Sequence, residues 1–336
     1  MASLKQRKDR SKYQFTGNPA ARSQTPHADS PSEIDPYVVD DPELKQAIAL
    51  AIYLGRPLLL EGEAGCGKTR LAEAIAYELG LPFYRWDIRS TSLAKEGLYE
   101  YDALLRLHDV QLKTGGVESG DKSINPANYL RFGALGKAFQ LTDSPAVVLI
   151  DEIDKADLDF PNDLLTVLDQ PWSFEVPEAI QSDSKPLTIG PALHPPIVII
   201  TSNREKGALP LPFLRRCIYY YMKFPDRNGL QKIVEAHYGE AEATQATATQ
   251  ATEAKGFKQA LVDAAIDRFL KLRDSKALFK SPATSEFLDW LDAMVEFGDG
   301  ERLVKLLGLE DDKRLPFREV LLKVQKDWDL FSAMES

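Results

Sequence analysis

Between positions 62 and 69 the chain reads Gly62-Glu63-Ala64-Gly65-Cys66-Gly67-Lys68-Thr69. The spacing G-x-x-x-x-G-K-[ST] is that of a loop that cradles phosphates, provided a strand precedes it and a helix follows. The glycines let the backbone curl until successive N–H groups face an anion, and the helix opening at Lys68 adds positive potential. In that setting Lys68 reaches the β- and γ-phosphates and the Thr69 hydroxyl ligates Mg²⁺. Cys66 fills the loop; no partner motif makes it a nucleophile. The ligand expected from these eight residues is ATP or a related nucleoside triphosphate, with Mg²⁺.

Three further groups fit the same chemistry. The apolar run Ala146 to Ile150 ends in Asp151-Glu152, and ligands bind at the C-terminal edge of an open α/β sheet. Asp151 would hold Mg²⁺ through water, and Glu152 would polarise an attacking water. Taken alone, the pair could also cap the next helix, a reading that the phosphate loop upstream disfavours. Asn203 follows the apolar strand Ile197–Ile200 and could orient that water, or be an ordinary turn residue. Arg215 and Arg216 lie between a short helix and a strand, either as surface charges or as cations for a neighbouring copy's γ-phosphate. Asp154, Lys155 and Asp157 read as surface or interface charges.

The elements that must position these residues follow from hydrophobic periodicity. Short apolar strands at Leu58–Leu60, Phe83–Ile88, Ala146–Ile150, Ile197–Ile200 and Ile218–Met222 alternate with helical stretches. These are 68–79, 102–112, 129–141 and 158–168, after a first helix at 42–54. That alternation predicts an α/β domain whose parallel sheet is covered on both faces. After Phe224-Pro225-Asp226 the pattern turns helical, over 229–237, 257–273, 285–297 and 317–330, which predicts a small all-α domain. The domains expected are a polar, basic, mobile tail at 1–35, an αβα nucleotide domain at 36–225 and a helical domain at 226–336. The last carries a low-complexity insertion at 239–255, read as a flexible surface loop in preference to a helix extension.

Composition narrows the class. The formal net charge of −10 over 336 residues argues against a general polyanion binder. Two cysteines make neither a disulfide framework nor a metal cluster and suit a reducing cytoplasm. No apolar run approaches the roughly 20 residues that span a bilayer.

Together these segments resemble an AAA+ ATPase, and more narrowly the MoxR-type, dynein-related subgroup. The resemblance spans about 36–329 and rests on Leu58 through Thr69, Leu149-Ile150-Asp151-Glu152-Ile153-Asp154-Lys155-Ala156, Ile200-Thr201-Ser202-Asn203-Arg204 and Phe213-Leu214-Arg215-Arg216-Cys217. The stretches Ser90 to Asp102 and Ser281 to Trp290 add to it. It implies a P-loop NTPase core, a three-layer αβα arrangement with a five-stranded parallel sheet, plus a C-terminal all-α lid with ATP between them. It also implies hexameric rings, Asn203 as sensor 1, and Arg216 as the arginine finger with Arg215 as the fallback. Members act as chaperone-like remodelling motors, often with a partner bearing a von Willebrand factor A domain.

One departure stands out. The lid position where many such proteins carry a sensor 2 arginine is Ser285 here, with Lys280 nearby but out of register. Tyr99 and Tyr101 lie in a stretch that could form a pore-facing insertion, although core packing is the expectation for them. Alternatives on the same fold are a nucleic-acid-linked AAA+ motor and an AAA+ GTPase of a restriction system. Transfer of phosphate to a small molecule is disfavoured because Glu152 beside Asp151 suits water as the acceptor.

Overall fold

The computed structural model describes residues 9–114, 126–169, 171–180, 185–203, 207–238, 248–275, 278–308 and 314–331. Arg204 and positions 239–247 of the expected low-complexity loop lie outside the described residues. The chain divides into two compact units. The first comprises 1–34, 41–61 and 68–221; the second comprises 35–40, 62–67 and 222–336.

In the first unit, helix α1 (Pro42–Leu54) begins where Asp41 accepts the amides of Glu43 and Leu44, and ends at Gly55 in a left-handed conformation. The central sheet is built from β1 (Leu58–Gly62), β2 (Phe83–Asp87), β5 (Val147–Asp151), β8 (Ile197–Ser202) and β9 (Ile218–Met222). It is a five-stranded parallel sheet in the order β2-β5-β8-β1-β9. Every residue of β1, β5 and β8 is buried, as a sheet covered on both faces requires. Each Leu, Ile or Val so buried contributes about 1.5–3 kcal/mol relative to exposure.

Helix α2 (Lys68–Leu79) covers the sheet through Leu71, Ala72, Ile75 and Ala76, and Gly80 stops it with a φ of 65°. Its buried carboxylate Glu78 accepts from the Thr16 amide at 2.6 Å, the Thr16 hydroxyl at 2.7 Å, and the amides of Gly17 and Asn18 at 2.9 and 3.0 Å. Further along the same segment, Arg10 donates to the carbonyls of Pro195 and Pro196. Burial pushes that guanidinium down to about 10. The expectation of a mobile tail therefore differs from the arrangement of residues 9–34. A buried carboxylate demands donors, and this polar segment supplies them from its backbone.

Between β2 and β5 the chain adds an antiparallel ribbon, β3 (Tyr99–Tyr101) with β4 (Leu130–Phe132), and helices α3 (Ala103–Thr114) and α4 (Ala134–Phe139). The helix expected over 129–141 is thus half ribbon. Gly133 breaks it where a Cβ would stand 2.1 Å from the Glu96 carbonyl oxygen. Tyr99 is buried, stacked on Phe174 at 5.6 Å, and donates to Glu178 at 2.9 Å; it packs, as expected. Helix α5 (Phe160–Leu168) is followed by a hairpin, β6 (Phe174–Ile180) and β7 (Pro186–Ile189), that periodicity did not suggest. A short helix, α6 (Leu211–Leu214), precedes β9.

The second unit holds α7 (Arg227–Tyr238), α8 (Ala248–Asp274), α9 (Thr284–Phe297), α10 (Gly300–Leu307), α11 (Arg318–Leu321) and α12 (Gln325–Trp328). Its core centres on Trp290, Phe287 and Phe269, with the Trp290 indole donating to the Pro316 carbonyl at 2.7 Å. Helix α8 starts at Ala248, so the described part of the low-complexity stretch is the helix extension, not the surface loop. The Ala and Glu in it favour that outcome. The single helix expected over 317–330 is two short ones, because Leu322 is extended and buried Asp327 turns to accept the amides of Phe279 and Lys280.

Candidate functional site

Sheet register brings the chemistry together. β5 and β8 run side by side with Ile150 opposite Ile200, and β8 pairs with β1 so that Leu60 lies opposite Thr201. Asp151 and Thr201 therefore emerge as neighbours at the C-terminal edge, one step past paired isoleucines. Thr201 donates from its hydroxyl to Asp151 Oδ1 at 2.6 Å. The Thr201 hydroxyl oxygen in turn accepts the Glu152 amide at 2.8 Å. One buried hydroxyl thus aims the carboxylate and fixes the peptide that carries the next acid. Sequence reasoning missed this residue; its signal was a polar side chain at the end of an otherwise apolar strand.

Thr69, in the first turn of α2, reaches the same carboxylate. Its hydroxyl donates to Asp151 at 3.0 Å to Oδ1 and 3.2 Å to Oδ2, which leaves an oxygen lone pair for a hard cation. Lys68 beside it is buried. Arg85 on β2 also donates to Asp151, at 2.9 Å.

Glu152 adopts a left-handed conformation, φ 59° and ψ 53°. For a non-glycine residue this costs about 1–3 kcal/mol, and such strain clusters at functional sites. It turns the carboxylate out of the strand direction. Oε1 then accepts the Asn203 side-chain amide at 3.2 Å, and Oε2 pairs with Lys155. Asp154 is buried and accepts the Asn203 backbone amide at 3.0 Å. Two residues expected as surface charges therefore brace the site: Asp154 holds the amide strand tip, and Lys155 holds Glu152.

In the second unit the loop 62–67 carries Gly65 at φ 80° and Gly67 at φ 93°, conformations reserved for glycine. A Cβ on Gly65 would stand 2.1 Å from Ala283 Cβ, and one on Gly67 3.0 Å from the Tyr37 ring. Cys66 is buried. Glu63 accepts from Arg273 at 2.6 Å, and that guanidinium stacks over Phe224 at 3.4 Å. Burial lowers the Arg273 pKa, although Glu63 opposes the shift. Ser285 lies in the first turn of α9, and Lys280 pairs with Glu286 at 3.3 Å. An arginine of the helical region, Arg273, reaches the loop, a residue the sequence did not single out.

Arg215 and Arg216 are exposed at the end of α6; Arg216 pairs with Asp169 at 3.3 Å. The geometry does not bring them into hydrogen-bond contact with Asp151, Glu152 or Asn203. Cys217 is buried, which pushes its thiol up to about 12.

The donor set fits Mg²⁺. Among the described residues no three His, Cys, Asp or Glu converge on a metal position. Mg²⁺ in phosphate sites takes only one or two protein oxygens, with waters and phosphate oxygens completing the shell. The Thr69 hydroxyl and the Asp151 carboxylate, already in contact, are of that kind. Among the described residues no helix is long and apolar enough to cross a membrane. Residues 58–223 match the family model described as ATPase family associated with various cellular activities (AAA).

Proposed function

We propose that the chain is an ATPase of the AAA family, whose family model residues 58–223 match, and more narrowly a ring-forming motor of the MoxR type. In this reading it works in the cytoplasm as a chaperone-like remodeller of protein partners, one class of which bears a von Willebrand factor A domain. The carrying observation is the pairing of Glu152, strained into a left-handed turn, with the Asn203 amide at 3.2 Å. An amide held on a carboxylate at the edge of a phosphate site is the arrangement that positions a water for attack.

Lys68 and the amides of Gly62 to Gly67 hold the phosphates, and Thr69 and Asp151 hold the metal. The Mg²⁺ ion supplies neutralisation of phosphate charge. Glu152 Oε1 accepts the proton of the attacking water while Asn203 orients that water. Thr201 keeps Asp151 and Glu152 at fixed separation, so neither carboxylate swings into the other's place. Arg216, with Arg215 as the fallback, serves a neighbouring copy, since its own ion pair with Asp169 is solvent-exposed and readily exchanged. A hexamer is the expected ring.

Glu152→Gln tests the reading. It keeps the hydrogen bond from Asn203 and removes the base. ATP binding should persist while turnover falls on the order of 10²–10⁴-fold. The ATP-loaded variant should form a stable oligomer and retain its protein partner in a pull-down. Turnover equal to the wild type would remove Glu152 from the chemistry.

A further inference from the structure

The hydrolysis reading leaves a cation in contact with the metal-binding carboxylate, Arg85, without a role. Arg85 stands on β2, opposite Leu149 of β5, with Asp87 opposite Asp151. Residues two apart on a strand share a face, so the register sets Arg85, Asp87 and Asp151 on one face. The guanidinium forks between the two acids. Nε donates to Asp87 Oδ1 at 2.7 Å, and Nη2 donates to Asp151 Oδ2 at 2.9 Å.

The three groups differ in their access to water. The Asp151 side chain is 5% exposed, whereas Arg85 is 48% and Asp87 61% exposed. A buried carboxylate requires a counter-charge, and Arg85 supplies it. The exposed guanidinium can leave at small desolvation cost and keeps a partner in Asp87 when it does. Asp151 Oδ1 accepts from Thr201 at 2.6 Å and from Thr69 at 3.0 Å, so Oδ2, which Thr69 reaches only at 3.2 Å, is the oxygen that Arg85 and a metal-bound water would both draw on. Glu73, which pairs with Arg70 at 4.0 Å, adds a further negative charge that favours the Arg85 cation.

We propose that Arg85 is the resident counter-ion of Asp151, exchanged for Mg²⁺ and retained on Asp87 when it gives way. Arg85 thereby sets the Mg²⁺ concentration at which the nucleotide is held. The inference rests on the assignment of Asp151 to the metal.

The test is equilibrium binding of a fluorescent ATP analogue to the full chain, titrated with Mg²⁺. Arg85→Gln removes a positive charge a few ångströms from a divalent site, and should lower the half-saturating Mg²⁺ concentration about tenfold. Asp87→Asn removes the alternative partner, tightens Arg85 on Asp151 and should raise that concentration. Binding of the analogue in excess EDTA should be the same in both variants. Opposite displacement by the two variants is the signature; an unchanged Mg²⁺ requirement, or a shift of the same sign in both, overturns the proposal. Thermal unfolding gives a second readout. Arg85→Gln should be less stable than wild type in EDTA and recover with Mg²⁺. If it is destabilised alike in both, the Asp87→Asn titration decides alone. Asp151→Asn separates the two readings. If it keeps the wild-type Mg²⁺ dependence, the assignment of Asp151 to the metal fails. If it abolishes that dependence while the Arg85 and Asp87 variants leave it unmoved, only the counter-ion exchange fails.

Discussion

Thr201 shows how one hydroxyl can organise two acids. It donates to Asp151 and accepts from the Glu152 amide while being buried itself. Valine has nearly the same shape and neither capacity. Thr201→Val should therefore bind ATP with Mg²⁺ yet lose turnover on the order of 10²-fold, the scale associated with misplacing a catalytic group by about an ångström. It also leaves the Glu152 amide without this acceptor and Asp151 Oδ1 with Thr69 as its remaining donor, a cost of about 1–3 kcal/mol for the amide. Steady-state hydrolysis and urea unfolding, measured together, check both halves. Unaltered turnover would show that Asp151 and Glu152 are positioned without it.

At the scale of elements, the loop between β1 and α2 depends on two glycines for different reasons. Gly67 needs its φ of 93°, whereas Gly65 needs both its φ of 80° and the space that Ala283 closes. Gly65→Ala adds left-handed strain of about 1–2 kcal/mol and a contact shorter than any relaxed Cβ tolerates, itself about 1–3 kcal/mol. The expected result is nucleotide affinity reduced on the order of 10²-fold, with far-UV circular dichroism unchanged. Isothermal titration would measure it; wild-type affinity would mean the loop need not hold this conformation to bind. The same loop's Glu63 engages Arg273, which gives the helical region a cation at the loop although Ser285 stands where one was looked for.

For the molecule as a whole, the proposal moves the working unit from one chain to an assembly. Arg216→Ala should lower hydrolysis in the oligomer while leaving ATP binding to the single chain intact. Mixing that variant with a Lys68→Ala chain, which keeps its arginines but not its phosphate contact, should restore part of the turnover. Mixtures no more active than the sum of their parts would place Arg216 outside the partner's site. The mixed-assembly measurement also distinguishes Arg216 from Arg215, because only the acting arginine needs to be supplied by the second chain.

Local chemistry carried much of this protein into its sequence. The phosphate loop was legible because its glycines, Lys68 and Thr69 are contiguous and flanked by a strand and a helix. The sheet was legible because β1, β5 and β8 are buried on both faces and read as unbroken apolar runs. Helices α2 and α9 were legible from the spacing of their buried positions. What the tertiary structure decided involves partners far apart in the chain. Thr201 meets Asp151 only through strand register, 50 positions away. Arg85 meets the same carboxylate across 66, and Arg273 meets Glu63 across 210. Glu78 ties down a polar segment whose composition alone favoured mobility. Periodicity reports which face of an element is buried; it carries no record of which polar group waits at that face, and that is set when the sheet aligns its strands.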